Sequence, residues 1–314
     1  MEIYISGSLA YDRIMDFPGK FADHILPEKI HILNVCFMVD GLTEKFGGTA
    51  GNIAYSLALL GERPLILATA GRDFDTYEAW LRRHNLSLEG IRRIEEELTA
   101  GAYITTDMAD NQITGFNPGA MKHPSLYSFD GRDPQEALAI VAPGNLEDMV
   151  TYSRVYRECG ISYILDPGQS IPALSPAQLA EMITGSELLI SNDYEFEMIR
   201  KATGMDATEL LDRSRAIITT LGEKGSVVST REKVVKIPAA RASRVLDPTG
   251  AGDAYRAGLI KGLVMGKDLV DSARMGLTCA SYAVECFGTQ EHHFTQEEFW
   301  ARYEDNFGKD KATG

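Results

Sequence analysis

Cysteine is scarce in this sequence: Cys36, Cys159, Cys279 and Cys286 are the four in 314 residues. They are scattered and form no Cys-x-x-Cys pair, which speaks against a disulfide scaffold and leaves buried or surface thiols in a reducing compartment. The six histidines offer no zinc-type spacing, and His292 and His293, being adjacent, do not share a helix face. Positive charge is short as well. Lys and Arg total 31 against 45 Asp and Glu, a net charge of −14. Nucleic acid and anionic membranes are bound through basic surface, so neither is an expected partner. A local basic pocket for a small phosphorylated ligand stays open. No apolar run approaches the roughly 20 residues of a membrane helix. The opening MEIYISGS lacks a basic segment followed by a long apolar one, so no secretory signal is expected and a cytoplasmic location is. What remains is ordinary for a folded soluble chain, with 44% hydrophobic and 24% charged residues. The length suits one large α/β domain or one with a smaller insert.

Glu2 to Ser6 alternate and read as a strand ending at Gly7. Residues 12–45 carry short apolar clusters broken by Pro18, Gly19, Pro27 and Gly41, without a helical period, and read as strands of a small sheet. From Gly47 a glycine-rich turn runs into a helix that ends at Gly61. A strand over 64–69 and a helix over 73–85 follow. Short strands near 91–95, 101–106 and 111–116, with a turn at Asp110-Asn111, are expected to join the small sheet. Beyond residue 137 the alternation is regular. Strands are expected at 137–141, 162–165, 187–191, 216–220, 226–230 and 233–237. Helices are expected at 147–158, 176–184, 193–203, 251–264, 268–286 and 295–304. Apolar strands alternating with amphipathic helices indicate a parallel sheet covered on both faces. Residues 1–304 are thus expected to form one domain, with lid strands from about 12–45 and 91–116, and 305–314 to form a flexible tail.

Two glycine-rich segments carry chemistry. In Asp247-Pro248-Thr249-Gly250-Ala251-Gly252-Asp253 the turn leads into a helix. Small residues there let a ligand approach backbone N–H groups at a helix N-terminus, where partial positive charge favours an anion. An aspartate beside a bound phosphate is repelled as a ligand but useful as a base. The spacing alone equally allows Asp253 to be a helix cap. The second segment is Gly47-Gly48-Thr49-Ala50-Gly51-Asn52. It lacks the terminal Lys-Ser/Thr of a P-loop and the register of a dinucleotide fold. Asn52 suits neutral hydroxyls better than phosphate, and a tightly packed helix entry is the plainer reading.

Taken together, these residues resemble the ribokinase-like family of carbohydrate and nucleoside kinases, also called the PfkB family. The first diagnostic segment is Gly47–Asn52, with Ala54, Gly61 and Gly71 following. The second is Asp247–Asp253, with Ala257 and Gly258 following. Asn192-Asp193-Tyr194-Glu195 matches the family's Asn-x-x-Glu element, Thr220–Gly225 matches a turn after a strand, and Asp12 follows the first strand as the family's sugar-binding aspartate does. The matches run in family order from Asp12 to Gly258. The resemblance implies a doubly wound, mostly parallel α/β sheet with helices on both faces and a small β-sheet lid. It implies that Asp253 is the catalytic base and that Gly250, Ala251 and Gly252 form the anion hole. Asn192 and Glu195 would organise Mg2+ and its waters. Asn192, Thr220, Gly222 and Gly225 would line the ATP site, and Asp12, Gly48 and Asn52 would hold substrate hydroxyls. A monovalent cation, K+, near Asp247 and Thr249 is a family trait. Lys224 is a candidate phosphate neighbour by position only. Arg256, one turn after Asp253, either faces the site or decorates the helix.

The acceptor is narrowed by two stretches. Asp110–Phe116 followed by Asn117–Met121, and Asp166-Pro167-Gly168-Gln169, look like those of microbial adenosine and nucleoside kinases. Gln112, Phe116 and Gln169 suit a purine, an aromatic ring stacking and amides pairing with base edges. The substrate-side motifs show no cationic cluster for a phosphosugar. The expectation is ATP-dependent phosphorylation of a nucleoside 5′-hydroxyl, adenosine to AMP. A kinase of a free sugar and a non-catalytic nucleoside-binding protein are the alternatives, and the state is monomer or homodimer.

Overall fold

The computed structural model describes residues 1–32 and 34–308. Strand β1 (Glu2–Ser6) lies inside a nine-stranded sheet. The chain then leaves for a second sheet through β2 (Ala10–Asp16) and β3 (Asp40–Gly47), and returns by α1 (Thr49–Leu59) and β4 (Leu65–Gly71). Next come α2 (Asp75–Arg83), β5 (Ile91–Ile94), β6 (Ala100–Thr106) and β7 (Gln112–Asn117). The second half runs β8 (Ala137–Val141), α3 (Leu146–Cys159), β9 (Ser162–Leu165), α4 (Pro176–Ile183), β10 (Leu188–Asn192), α5 (Asp193–Thr203), α6 (Ala207–Leu211) and β11 (Ala216–Thr220). It closes with β12 (Ser226–Ser229), β13 (Val234–Ile237), α7 (Ala251–Val264), α8 (Leu269–Ala283) and α9 (Gln296–Phe307).

The large sheet has the order β13-β12-β11-β10-β9-β8-β1-β4-β5. Pairing is parallel from β5 through β11. The two remaining pairings, β11 with β12 and β12 with β13, are antiparallel. The few residues between these strands permit only hairpins, since a parallel pair needs a long crossover, and the sheet is mostly parallel as expected. Winding reverses between β1 and β8, which opens a crevice at the carboxyl ends of the strands. Apolar side chains pack on both sheet faces, with Ile5, Ile140, Ile190 and Ile218 on one and Tyr4, Val141, Leu165 and Leu189 on the other.

The small sheet has the order β3-β2-β6-β7. Two sequence expectations change here. The strand near 91–95 is β5, and it pairs with β4 at the edge of the large sheet instead of joining the lid. It is the second strand of a β4–α2–β5 unit, whose crossover helix returns the chain beside β4. Within 12–45, strands occupy only the two ends, and short 3-10 turns at Phe21–Asp23 and Pro27–Ile32 lie between. Of the expected tail, 305–307 complete α9 and Gly308 caps it, while 309–314 lie outside the described residues. Helix α6 falls in a stretch where no helix was expected. Among the described residues no helix is long and apolar enough to cross a membrane.

Candidate active site

The carboxyl ends of the parallel strands and the N-termini of α1 and α7 converge. Helix α7 begins at Gly250, whose φ of 78° is left-handed and therefore favours glycine. No side chain caps this end. The backbone N–H groups of Gly252 and Asp253 have no acceptor among the described residues, which leaves an N-terminus able to receive an anion. The alternative that Asp253 is the cap is not realised: the cap position is Gly250, and Asp253 points its carboxylate at Asn52.

Asn52 Nδ2 donates to Asp253 Oδ2 at 2.7 Å. Burial pushes the Asp253 carboxyl up to about 6, with the positive charge of Arg256 and the bond from Asn52 pulling the other way. That value leaves the group ionised at neutral pH and basic enough to take a proton. Asp253 Oδ1 has no hydrogen-bond partner among the described residues.

Arg256 is buried and forked onto Asp166, which follows β9. Its Nε and Nη2 both reach that carboxylate, Nη2 at 2.7 Å, and Nη1 donates to the Gly252 carbonyl at 2.9 Å. Burial works against the charge, and Asp166 outweighs it, so Arg256 stays protonated. By holding the carbonyl of the Gly252–Asp253 peptide, it fixes the opposite N–H of the same planar unit toward the helix mouth. Sequence alone could not orient Arg256. A lone arginine among small and apolar residues on a helix demands a buried anion, and that was the available signal.

Asn192 ends β10 and caps α5. Its Oδ1 accepts from Glu195 N at 2.7 Å, and Glu195 Oε2 accepts from Asn192 N at 2.9 Å. Burial raises the Glu195 carboxyl, opposed by that backbone bond. Among the described residues no three acidic, His or Cys side chains form a metal cage. The pair nonetheless fits Mg2+, which keeps most of its waters and needs few protein oxygens, because one oxygen of this half-buried carboxylate remains for it. Thr220 ends β11, next to Asn192 in the sheet. Gly222 and Gly225 bracket the following turn with positive φ, and Lys224 between them is exposed.

On the lid, the pairing register sets Lys45, Asp12, Ala102 and Phe116 in one row across the sheet. Directly opposed side chains share a face, and Gln112, an even number of residues before Phe116, joins them. Phe116 is 54% exposed and Gln112 is exposed. Burial, then the nearby charge of Asp247, raises the Asp12 carboxyl. Gly48 has φ 87°, and a Cβ there would meet Ser8 O at 2.5 Å, so the chain crosses β1's exit where only glycine fits. Gln169 is exposed on a short 3-10 segment after Asp166, on a different element from the lid row.

Asp247 accepts backbone N–H bonds on both oxygens, from Thr249 at 2.9 Å and Gly288 at 3.0 Å. These bonds and the charge of Lys45 outweigh burial and hold it below the usual carboxylate range. Lys45 Nζ donates to Phe287 O at 2.9 Å and pairs with Glu291 at 3.3 Å. The ammonium thus lies against the loop beside Asp247, and a second cation there would be repelled. These residues do not fit the expected K+. Lys45 escaped the sequence reading because it meets this loop from a distant segment, and Asp166, read there only as part of a stretch, gained its role from a partner 90 residues away.

Residues 21–295 match the model of the pfkB family of carbohydrate kinases. The chain is 34% identical over 280 residues to the nucleoside kinase of Methanocaldococcus jannaschii, covering 88% of this chain and 91% of that one. The fold is similar to that of the Burkholderia thailandensis nucleoside kinase in complex with inosine, with TM-score 0.86, 38% identity and 98% of each chain covered. The complex of that enzyme with ADP-inosine gives TM-score 0.84 at 38% identity over 99% of each chain. With its ribokinase-like sheet and lid, and a family match across most of its length, this chain belongs to the pfkB family of carbohydrate kinases and is a phosphotransferase.

Proposed function

We propose that the chain transfers the γ-phosphoryl group of ATP to the 5′-hydroxyl of a purine nucleoside, with adenosine as the acceptor. The observation that carries this reading is Asp253: one carboxylate oxygen is held by Asn52, the other is free, and both sit at the uncapped mouth of α7. The 38%-identical relative holds inosine, which supports a nucleoside over a free sugar. The lid row that contains Asp12 also bears Phe116 and Gln112, a stacking ring and a pairing amide.

In this reading the sugar hydroxyls lie against Asp12 and Asn52. The free Asp253 oxygen accepts the 5′-hydroxyl proton as the oxygen attacks. Of the expected anion hole, Gly250 and Gly252 offer free backbone N–H groups to the transferring phosphoryl group, joined by Asp253 N–H and aided by the helix N-terminus, whereas Ala251 N–H donates to Pro248 O at 3.2 Å and holds the turn. Thr220, Gly222 and Gly225 line the nucleotide on the far side. Asn192 and Glu195 would hold Mg2+ through water, and that ion supplies charge neutralisation at the phosphates. No step passes through K+, since the Lys45 ammonium lies on the Phe287 carbonyl, next to the Gly288 N–H that holds Asp247.

The test is ADP release over a panel of adenosine, inosine, ribose and fructose. Adenosine is expected to give the highest kcat/KM, because base contacts help position the reacting hydroxyl. If inosine leads, the base assignment changes and the nucleoside reading stands. A lead for ribose would move the acceptor to a free sugar, and binding of nucleoside without ADP release would mark a non-catalytic binder.

A further inference from the structure

The loop after α8 reaches the active site through one buried side chain. Gln290 is 3% exposed and comes from 238 residues beyond Asn52 in the chain. Its Nε2 donates to Asn52 Oδ1 at 3.1 Å and to the Tyr77 hydroxyl at 2.7 Å. Its Oε1 accepts from Trp80 Nε1 at 2.9 Å. Tyr77 in turn donates to Gly47 O at 2.8 Å.

The direction of this network is dictated at its far end. An indole N–H can only donate. Trp80 therefore requires the oxygen of Gln290, which leaves the Gln290 NH2 facing inward. A backbone carbonyl can only accept, so Tyr77 spends its proton on Gly47 and receives the second Gln290 hydrogen on its oxygen. The Gln290 NH2 then demands an acceptor from Asn52. That turns the Asn52 oxygen away from Asp253 and the Asn52 NH2 toward it. Were the Asn52 amide reversed, its oxygen would face a carboxylate and its NH2 would face the Gln290 NH2, two mismatched contacts in a buried site.

We propose that Gln290 is a positioning residue for phosphoryl transfer: it locks the Asn52 amide so that one Asp253 oxygen is held by a hydrogen bond and the other is presented to the acceptor hydroxyl. The proposal rests on the reading of Asp253 as the base. Polarity passes from Trp80 on α2, through Gln290 in the loop and Asn52 on α1, to Asp253 on α7. The base thus depends on a hydrogen-bond direction set three residues away in the network. The other charged or titratable groups acting on Asp253 are Arg256 on its own helix, Asp166 after β9, Glu195 on α5 and Tyr77 on α2. A change at Gln290 alters none of these charges, which makes the pH profile a clean readout.

The experiment is the pH dependence of kcat for the wild-type chain, Gln290→Met and Trp80→Phe, beside KM for the nucleoside and the thermal midpoint. Gln290→Met keeps the length of the side chain and removes both polar ends. The acidic limb of kcat is expected to move up by about one pH unit, because the freed Asn52 no longer stabilises the carboxylate. The plateau is expected to fall roughly tenfold, the scale of a lost hydrogen bond to a charged group, with KM little changed. Trp80→Phe keeps the ring and removes the directing N–H, so it shifts the limb the same way by less. A purely structural Gln290 would lower the midpoint and leave the limb in place, which overturns the proposal. Should Gln290→Met not fold, Trp80→Phe decides: an unmoved limb overturns the proposal and a raised one supports it. Asp253→Asn separates the two readings. If that variant keeps its kcat, the base assignment fails; if it is inactive while the limbs above stay put, only the role of Gln290 fails.

Discussion

The chain enters two helices through glycine-rich turns, and the two turns do opposite things. At α1 the backbone donors are consumed by the protein itself. Ala50 N donates to Ser8 O at 3.0 Å and Thr49 N to Ser8 Oγ at 3.0 Å, while the Thr49 hydroxyl donates to Pro143 O at 2.7 Å. At α7 Ala251 N turns back to Pro248 O at 3.2 Å, but the N–H groups of Gly252 and Asp253 face an open mouth, and Gly252 is exposed. One turn is a closed joint that aims a side chain, Asn52; the other is an empty receptor for an anion. Glycine serves the first because β1's exit crowds it, and serves the second because a ligand must come close to backbone. Two similar strings of small residues therefore give no warning of which helix end is filled.

The strongest test of this contrast is Asp253→Asn. Turnover is expected to fall roughly 10²–10⁴-fold, the usual loss of a general base, with nucleoside affinity kept. The thermal midpoint at neutral pH is expected to rise by a few degrees. The folded carboxyl lies above its ordinary value, at about 6, so its ionised form costs stability once the pH passes that point, and stability returns as the pH falls below it. By the same sign, kcat of the wild-type chain rises with pH through about 6 and levels off above. A flat profile across that window would remove Asp253 as the base.

Arg256→Met comes next. It strands Asp166 as a buried charge, which costs about 3–5 kcal/mol, read as a lower denaturant midpoint. Survival of normal stability would mean that Asp166 finds water when Arg256 leaves.

The glycine pair sharpens the comparison directly. Gly48→Ala combines left-handed strain of about 1–2 kcal/mol with a backbone collision at Ser8, and should lose stability first. In Gly252→Ala the new methyl meets Arg256 Nη1 at 2.9 Å, so the guanidinium must give up its bond to the Gly252 carbonyl while its fork on Asp166 is kept. That variant should lose less stability than Gly48→Ala and lose turnover by up to roughly 10²-fold, as expected when a reacting group is displaced by about an ångström. Reversed outcomes would exchange the roles of the two turns.

The smallest effect is expected from monovalent ions. Turnover in K+-free buffer should match that in K+, and the midpoint should not respond to K+. Lys45→Met should introduce a K+ response in both. A wild-type chain that needs K+ would show that the ammonium of Lys45 does not replace the ion.

Most of the second half of the molecule was legible as sequence. The apolar runs that became β8, β9, β10 and β11 are buried on both faces, and such strands must be continuously hydrophobic wherever they go. The helix over 193–203 and that over 251–264 likewise match the structure, because a capping Asn192 and a glycine turn mark their starts. The lid was legible only in part. β5 has the composition of a short exposed strand, and whether such a strand joins one sheet or another depends on which partner edge lies nearby.

The site divides in the same way. Local chemistry is written in order along the chain: small residues where a backbone must be approached, an aspartate one turn into a helix, an amide at the head of another. Those features need only neighbours in sequence, so the sequence determined them. The direction of the Asn52 amide, the ion pair that buries Arg256, and the lysine that stands beside Asp247 each need a partner from a remote segment. Their energies come from desolvated hydrogen bonds and charges, which exist only once the fold has excluded water around them. Which helix mouth stayed open, and which oxygen of Asp253 stayed free, was decided by tertiary structure alone.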